Sequence, residues 1–472
     1  MSERMSERMS ELLQMRPEVF AEQLLTGERS RVMLLAQNAG ESPRVSSPEF
    51  AGLADFFARD QRDYRDHEAV FLGVGPESRA LFGVFIHKTD RGQAQGGVRN
   101  SPYHDLEHFL RDGLRLSVLE HFLRDGLRLS VGMGRKCALA DLWWAGGKGI
   151  IAAPGGANAS PNCNPELREC TYREFAQFVT SLRGAYITAE DAGTTPADME
   201  VIYRHTRFAT CIPESVGGSG NPSAMTACGV VRAMEAALDF RGLGDLEGKQ
   251  IAMQGGGNVG THMIELLFDK GAARVVVAEL ADERCAELMA RFPSHFLEIR
   301  KVEPGDQQIL GEACDIFCPN ALGGVLNPKS IESIRAPIVC GAANNPLLDE
   351  RRDARRLSER GITYVPDYVA NRMGIVACSN EQAGSLRDDP LVLRHLEGER
   401  GWENSIYNVT QRILRRAAEA GLSSSEAAEE LAEARAHAPH PIWGRRTREI
   451  IESLWDEGWA QAPAAASSKA PR

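Results

Sequence analysis

The sequence predicts an α/β protein of two domains, an amino-terminal α/β domain followed by a domain built on a doubly wound parallel sheet. From about residue 249 onward, short apolar segments alternate with helical stretches, a pattern typical of parallel strands joined by crossover helices. A glycine-rich turn at residues 254–260 lies between the first of these strands and the next helix. These two observations, together with apolar runs upstream, are the basis of the predicted fold class.

Apolar runs indicate the individual strands. In the amino-terminal half, AVFLGV and ALFGVFIHKTD each predict a strand. In the second half, the predicted strands are KQIAMQ, RVVVAE, CDIFCP, PIVCGA and ITYVPD. The stretch from about 402 to 460 is predicted to be helical, because its apolar residues recur at helical spacing.

Changes in composition suggest the domain boundaries. The first residues contain MSER twice in tandem and then a polar stretch, and the carboxyl terminus is low-complexity. We therefore expect a flexible extension over 1–45, a substrate domain over 46–212 that is joined by carboxy-terminal helices 385–460, a nucleotide-binding domain over 213–384, and a disordered tail over 461–472.

Composition also excludes several classes of protein. Of 472 residues, 65 are acidic and 54 basic, giving a net charge of −11, so no broad nucleic-acid-binding face is expected. No apolar run approaches the roughly 18 residues of a membrane span. The ten cysteines are scattered without metal-ligand spacing. This pattern predicts no metal site and favours a reducing cytoplasm.

Residues 106–118 and 119–131 carry the same sequence, LEHFLRDGLRLSV. A helix lengthened in line by one copy would grow by about 20 Å and turn by about 220° beyond full turns. Only one copy can therefore present its apolar face to a given core. We expect the first copy to be displaced as a surface helix or loop, because the second runs directly into the segment that contains Lys136.

The glycine-rich turn predicts a dinucleotide site. Glycines in a G-x-G-x-x-G turn between strand and helix let the backbone approach a pyrophosphate at the helix amino terminus. Glu279 ends the next strand, where its carboxylate would hold the ribose hydroxyls and repel a 2′-phosphate. The turn therefore predicts NAD rather than NADP, although Glu279 can also be interpreted as a solvated residue. The candidate turn residues are Gly255, Gly257, Asn258, Val259 and Gly260.

Two lysines lie in unusual surroundings upstream. Lys136 and Lys148 are twelve positions apart, and Lys148 lies among glycines close to two tryptophans. Desolvation lowers the pKa of a lysine, and a second lysine nearby lowers it further, so such a group can act as a base near neutral pH. Two ordinary surface lysines are the alternative. A further segment, TAEDAGTTPADM, contains Asp191, and its Thr195 and Asp198 are typical of a capped helix start.

With these motifs, the sequence resembles the glutamate/leucine/phenylalanine/valine dehydrogenase family over roughly residues 85 to 380, with the leucine dehydrogenase branch most similar. The shared pattern is a GG-x-R strand, a helix ending in M-x-x-K and a glycine-rich lysine twelve positions later. TAEDAGTTPADM, GGSGNPSAMTACGVVRAM, CPNALGGVLN and GAANNPL also match. The resemblance implies a substrate and oligomerisation domain, a Rossmann-type NAD-binding domain, an active site in the cleft between them, and a homo-oligomer.

The resemblance also implies roles for individual residues. Lys136 would bind the substrate α-carboxylate, and Lys148 would activate water and stabilise the carbinolamine oxygen. Asp191 would carry a proton to or from the substrate nitrogen. Arg99, in the GG-x-R strand, is interpreted as structural. The remaining matched positions are Gly97 and Asn371 on the substrate, and Thr226 and Asn345 at the nicotinamide end.

Side-chain specificity is expected to depend on Gln95. Glutamate dehydrogenases resemble one another in placing lysine at this position, and leucine dehydrogenases place an aliphatic residue there. Ala189, Ile375 and Cys378 match other positions of the pocket, and their small or apolar side chains favour a neutral substrate. Arg372 is expected to point to solvent; the alternative, a contact with an acidic substrate, keeps glutamate as the second candidate.

The sequence therefore predicts a cytoplasmic, NAD-dependent enzyme. It would reversibly deaminate a neutral, leucine-like L-amino acid to its 2-oxo acid and ammonia. We expect it to bind neither nucleic acid nor a membrane. Two alternatives stay open. One is a glutamate dehydrogenase, and the other is a cofactor-binding homologue whose catalysis is impaired by the duplication.

Overall fold

The computed structural model describes residues 9–27, 30–37, 41–60, 62–65, 67–101, 118–153, 164–321, 323–384 and 389–461. The chain divides into two compact units. Unit 1 comprises Met1–Gly134, Trp143–Asn221 and Ala436–Arg472, and unit 2 comprises Arg135–Leu142 and Pro222–Arg435. Within the described ranges, no helix is long and apolar enough to cross a membrane.

Unit 1 is built on a sheet of seven strands. They are β1 (Arg31–Leu35), β2 (Arg44–Val45), β3 (Ala69–Val74), β4 (Leu81–Ile86), β5 (Ala94–Asn100), β6 (Ala145–Ala152) and β7 (Tyr186–Glu190). Their order in the sheet is β2-β1-β3-β4-β6-β5-β7. β5 is parallel to both β6 and β7, and the other pairs are antiparallel. The carboxyl ends of β5, β6 and β7 therefore meet at one edge.

The described part of unit 1 contains six longer helices, and one of them extends into unit 2. Their bounds are Pro17–Thr26, Ala51–Arg59, Val118–Leu139, Pro165–Ser181, Pro196–His205 and Arg446–Asp456. We call Val118–Leu139 the repeat helix, because it begins with the second copy of the duplicated segment. Leu119, Phe122 and Leu123 are fully buried at helical spacing in the core. A Cβ at Gly126 would lie 2.2 Å from the Phe85 ring, so glycine lets the helix pack directly on β4.

Of the two copies of the duplicated segment, only the second is described in full. The second copy forms the first half of the repeat helix and continues without interruption to Lys136. Residues 106–117 of the first copy lie outside the described residues. Its expected displacement to the surface therefore stays a prediction.

Unit 2 contains a six-stranded sheet in which every pair is parallel, as predicted. Its strands are β8 (Gln250–Gln254), β9 (Arg274–Glu279), β10 (Leu297–Lys301), β11 (Ile316–Pro319), β12 (Ile338–Val339) and β13 (Thr363–Tyr364), in the order β10-β9-β8-β11-β12-β13. Its helices are Ser223–Phe240, Asn258–Asp269, Asp282–Arg291, Pro328–Ser333, Glu350–Glu359, Asp367–Ala370, Met373–Gln382, Pro390–Leu393, Ile406–Ala420 and Ser424–Ala436.

Two expected boundaries are wrong. Residues 1–45 are not simply an extension, because the helix Pro17–Thr26 buries Phe20 and Leu24 in the core, and β1 pairs with β3. The carboxy-terminal helices also do not all return to unit 1. The apolar face of Ile406–Ala420 packs in the core of unit 2, and the chain rejoins unit 1 only from Ala436. Of the expected tail, 461–472, Gln461 ends the short 3-10 helix Trp459–Gln461, and residues 462–472 lie outside the described residues.

Because the two copies are identical, removing either one gives the same single-copy chain. We expect this chain to keep its activity and to melt at an equal or higher temperature, because one copy already supplies the buried face of the repeat helix. Thermal unfolding and initial-rate assays of the single-copy and full-length chains would measure both properties. Lost activity in a folded single-copy chain would show that both copies serve the working site.

Candidate active site

Three adjacent strands of unit 1 bring the expected site residues together. The parallel registers pair Val98 with Gly149 and Gly97 with Ala189. Lys148 on β6 therefore stands beside Gly97 on β5, and both share a sheet face with Ala189 on β7. Alternation along β5 places Gln95 and Arg99 on this same face. The face thus collects five of the polar or small residues singled out from the sequence.

Glycines allow these strands to come this close. A Cβ at Gly96 would lie 1.8 Å from the carbonyl oxygen of Gly147 on the neighbouring strand. A Cβ at Gly97 would lie 2.7 Å from the Cβ of Asp191. Neither position can take a larger residue without moving the backbone, so the GG-x-R motif sets the spacing between Asp191 and β5.

Lys148, in the middle of β6, and Asp191, directly after the end of β7, form an ion pair. Lys148 Nζ lies 2.6 Å from Asp191 Oδ2, and the lysine side chain is 3 % exposed. Arg99 Nε donates to the same oxygen at 3.2 Å. On its other side, Arg99 Nη1 donates to both carboxylate oxygens of Asp125, at 3.2 and 2.9 Å. We call Asp125, Arg99, Asp191 and Lys148 the charged row.

Burial and neighbouring charges shift both members of the ion pair. Burial lowers the pKa of Lys148, and the charge of Arg99 lowers it further, while the charge of Asp191 opposes both. Burial alone would raise the pKa of Asp191, but Lys148 and Arg99 together bring it below its usual value. Lys148 therefore releases its proton more readily than an exposed lysine does, and Asp191 keeps its negative charge to lower pH than an exposed aspartate does.

Glu190, next to Asp191, is a buried acid that the sequence did not single out. Its Oε1 accepts a hydrogen bond from Asn221 Nδ2 at 2.8 Å, and its Oε2 is buried without a hydrogen-bond partner in the described residues. Burial, with the charges of Asp198 and Asp191, raises the pKa of Glu190 to about 7. Its only signal in the sequence was its place beside Asp191 in TAEDAG.

The predicted capping role of Asp198 is confirmed. Thr195 and Asp198 form a reciprocal capping box at the start of the helix Pro196–His205. Asp198 Oδ2 also accepts a hydrogen bond from Arg168 Nη2 at 2.6 Å. The carboxylate is therefore occupied by structural contacts rather than available to a substrate.

Lys136, near the end of the repeat helix, belongs to unit 2. Its Nζ donates to Asn344 Oδ1 at 2.9 Å. Asn371 Nδ2 donates to the same oxygen at 3.1 Å and to the carbonyl of Ala342 at 3.0 Å. Lys136 and Asn371, expected on the substrate from the sequence, thus share one partner. Asn344 is a third polar group that the sequence reasoning missed.

Arg372 does not point to solvent, so that expectation is wrong. Its side chain is fully buried, Nη1 donates to the carbonyl of Leu139 at 2.7 Å, and Nη2 donates to the carbonyl of Asn404. Burial lowers its pKa to about 9. Leu139 is the last residue of the repeat helix, and the carbonyls of the last turn of a helix lack partners within the helix. Arg372 therefore caps this helix, a contact that links residues too distant in sequence to be anticipated.

The glycine-rich turn of unit 2 has the expected form. Gly255 follows β8 with a positive φ of 96°, and a Cβ at Gly260 would lie 2.8 Å from the Gly255 carbonyl oxygen. The helix Asn258–Asp269 begins directly after Gly257, and Val259 lies in its first turn. Backbone amides at such a helix start suit a pyrophosphate. The turn therefore fits the phosphates of a dinucleotide.

Glu279 lies at the end of β9, beside this turn. Its Oε2 accepts a hydrogen bond from the Gly256 amide at 2.7 Å, and its Oε1 accepts one from the Leu280 amide at 2.8 Å. These bonds fix the carboxylate beside the glycines, which suits a ribose hydroxyl. Two residues were matched to the nicotinamide end. Thr226 Oγ1 donates to the Pro222 carbonyl, and the backbone N–H of Asn345 donates to Asp367 Oδ2.

The residues expected to select the side chain are all buried. Gln95 is fully buried, its Nε2 makes only a long contact of 3.5 Å to Thr210 Oγ1, and its Oε1 has no hydrogen-bond partner in the described residues. Ala189 lies on β7 of the same unit. Ile375 and Cys378 lie on the helix Met373–Gln382 of unit 2. A pocket formed by all four stays a prediction.

Comparisons with known proteins identify the family. Residues 83–208 match the family model described as Glu/Leu/Phe/Val dehydrogenase, dimerisation domain, and residues 217–437 match the model of Glutamate/Leucine/Phenylalanine/Valine dehydrogenase. The chain belongs to this family. It is therefore an amino-acid dehydrogenase that acts on a CH–NH2 group, in a family of NAD(P)-dependent oxidoreductases.

Named relatives of this dehydrogenase cover most of its length. The leucine dehydrogenase of Geobacillus stearothermophilus is 36% identical over 371 residues, which are 78% of this chain and 90% of that enzyme. The phenylalanine dehydrogenase of Caldalkalibacillus thermarum is 35% identical over 374 residues, 78% and 91% of the two chains. Among solved structures, the L-tryptophan dehydrogenase from Nostoc punctiforme matches with a TM-score of 0.57 and 31% identity, covering 78% of this dehydrogenase and 96% of that chain.

Replacing Lys148 tests the centre of this site. We expect Lys148→Ala to lower turnover by roughly three orders of magnitude, because a positioned acid–base group contributes about that much. Binding of the dinucleotide, measured by fluorescence titration, should stay nearly unchanged, because the glycine-rich turn lies in unit 2. Lys88→Ala, which removes a half-buried lysine of unit 1 that contacts His437, is the control. A Lys148→Ala enzyme with more than about a tenth of normal turnover would rule out the assignment.

Proposed function

We propose that this dehydrogenase catalyses the reversible, NAD-dependent deamination of a neutral, leucine-like L-amino acid to its 2-oxo acid and ammonia. The observation that carries the proposal is the buried ion pair of Lys148 on β6 and Asp191 after β7, in which Nζ and Oδ2 lie 2.6 Å apart. A lysine whose pKa is lowered, beside a carboxylate, can exchange protons with a substrate and with water. Relatives that act on leucine, phenylalanine and tryptophan support the substrate class.

NAD, when bound, supplies the acceptor for the hydride that leaves the substrate Cα. The chain's own residues handle the protons and the carboxylate. In our proposal, Lys136 binds the α-carboxylate and Asp191 accepts a proton from the substrate ammonium group. Lys148 then takes a proton from the attacking water and stabilises the resulting carbinolamine oxygen. Asp191 returns its proton to the nitrogen. As the C–N bond breaks and the carbonyl forms, the hydroxyl proton passes to the departing ammonia, which leaves as ammonium, and the proton on Lys148 is released to water.

Glutamate is the less favoured substrate. Gln95 carries no charge to attract a distal carboxylate, and the hydrogen-bonding Nη groups of Arg372 are taken by two backbone carbonyls. Arg372 therefore no longer supports an acidic substrate. The impaired homologue is also disfavoured, because the charged row is complete and the second copy of the repeat supplies Asp125 to it.

We also propose that this dehydrogenase forms a homo-oligomer, since residues 83–208 match a model described as a dimerisation domain. A neighbour in the structural comparison, the glutamate dehydrogenase from Thermus thermophilus, is described as hetero-hexameric, but its 23% identity supports the fold alone. A cytoplasmic location stays a prediction from composition.

A substrate panel tests the side-chain preference. We expect leucine or valine to give a higher kcat/KM than glutamate, measured as NAD reduction at saturating NAD. Gln95→Lys should improve glutamate relative to leucine by about tenfold or more, because a partly buried charge pair contributes about 1–3 kcal/mol. Gln93→Lys is the matched control, since Gln93 instead bonds the Gly184 carbonyl. A wild type that strongly prefers glutamate would contradict the proposal.

Glu279 should decide the choice of cofactor. We expect NAD to exceed NADP in kcat/KM, because a 2′-phosphate adds about −1.5 to −2 charges next to this carboxylate. Glu279→Ser should narrow the difference. Glu283→Ser removes the same charge from the following helix, which starts at Asp282, and should change the ratio less. A wild-type preference for NADP would show that this interpretation of Glu279 is wrong.

A further inference from the structure

We propose that Asp125, from the second copy of the duplicated segment, is a positioning residue that holds Arg99 against Asp191. The inference rests on the proposed function, because Asp191 is the proton carrier in that reaction. It gives this positioning role to Asp125 and not to Asp112, the equivalent residue of the first copy.

Arg99 links the repeat helix to the ion pair. Its Nη1 donates to both oxygens of Asp125, and its Nε donates to Asp191 Oδ2 at 3.2 Å. The three side chains are between 16% and 23% exposed, so these bonds are partly shielded from water. A planar guanidinium held on two sides has little freedom to rotate. Asp125 therefore fixes where Arg99 presents Nε.

The contact matters because one oxygen of Asp191 serves two donors. Lys148 Nζ, at 2.6 Å, and Arg99 Nε both approach Asp191 Oδ2. Together they orient the carboxylate of Asp191. If Arg99 lost its two-oxygen anchor on Asp125, its long side chain would gain rotamers, and Asp191 would lose a fixed donor.

Only one copy of the repeat can supply this carboxylate. A shift of one repeat turns a continuous helix by about 220°, so two copies cannot present the same face to β5. The second copy lies in the repeat helix, where Gly126, next to Asp125, packs against Phe85 of β4. The structure therefore favours Asp125 over its duplicate.

The pKa of Lys148 separates positioning from simple charge. The charged groups facing Lys148 are Asp191 after β7, Arg99 on β5 and Asp125 on the repeat helix, and its β4 neighbour is the uncharged Phe85. The charge of Arg99 lowers the pKa of Lys148, and the charge of Asp125 raises it. If Asp125 acted only through its negative charge, removing it would lower the pKa of Lys148. If Asp125 instead holds Arg99 in place, removing it would let Arg99 move away and would raise the pKa of Lys148.

The test compares Asp125→Ala with Asp112→Ala and Arg99→Met in the full-length enzyme. We expect Asp125→Ala to reduce kcat by about tenfold or more while KM for the amino acid changes by less than about threefold. The acid limb of the pH profile should move to higher pH, as in Arg99→Met, because Lys148 must be deprotonated to act as a base. Asp112→Ala should behave as wild type.

Several outcomes would overturn the proposal. They are an Asp125→Ala enzyme that keeps more than about half of its kcat, a loss in Asp112→Ala instead, or an acid limb that moves to lower pH. If Asp125→Ala fails to fold, Asp125→Asn takes its place, with the same expected directions. In the single-copy chain, only one equivalent of Asp125 remains. Replacing that aspartate with alanine should reduce kcat as much as Asp125→Ala does in the full-length enzyme.

A second readout does not depend on turnover. The pH dependence of Lys148 acetylation by acetic anhydride, followed by mass spectrometry of the peptide, measures the pKa of this amine. We expect it to rise in Asp125→Ala and to be unchanged in Asp112→Ala. A wild type that reduces neither NAD nor NADP with any amino acid would refute the proposed function, and the labelling would still test the contact of Asp125 with Arg99.

Discussion

The buried ion pair of Lys148 and Asp191 is the constraint on which the rest of unit 1 depends. A charge removed from water is costly unless a partner compensates it, so the two residues must lie on strands close enough to touch. Gly96 and Gly97 provide that closeness, since a Cβ at either would strike the neighbouring strand or Asp191 itself. The lowered pKa of Lys148 follows from the same burial.

The repeat helix shows how the same constraint limits an insertion. Its register against β4 and β5 is fixed by Gly126 packing on Phe85 and by Asp125 bonding to Arg99. The second copy runs on into Lys136, while Arg372 caps the carboxyl end of the helix at Leu139. Contacts along both halves of the helix thus fix its register. An extra thirteen residues can be tolerated only ahead of this segment, because a shift within it would break all of these contacts at once.

The fold of unit 2 was largely predictable from the sequence. Every strand predicted from apolar runs in unit 2 is present, and the glycine-rich turn stands between β8 and its helix as expected. These features are local, since strand, turn and helix are consecutive in the chain. The edge strand β10 was missed because its sequence, LEIRK, alternates with charged residues and has no buried run. β1 was missed because the polar segment around it resembled an appendage.

The sequence by itself determined the fold class, the glycine-rich turn and the capping box at Thr195, because each depends on neighbouring residues or on a long motif. The tertiary structure alone decided that Arg372 is buried, that Asp125 completes the charged row, and that Ile406–Ala420 packs in unit 2. These contacts join residues far apart in the chain. Their partners are chosen by packing in three dimensions, which a single sequence does not encode locally.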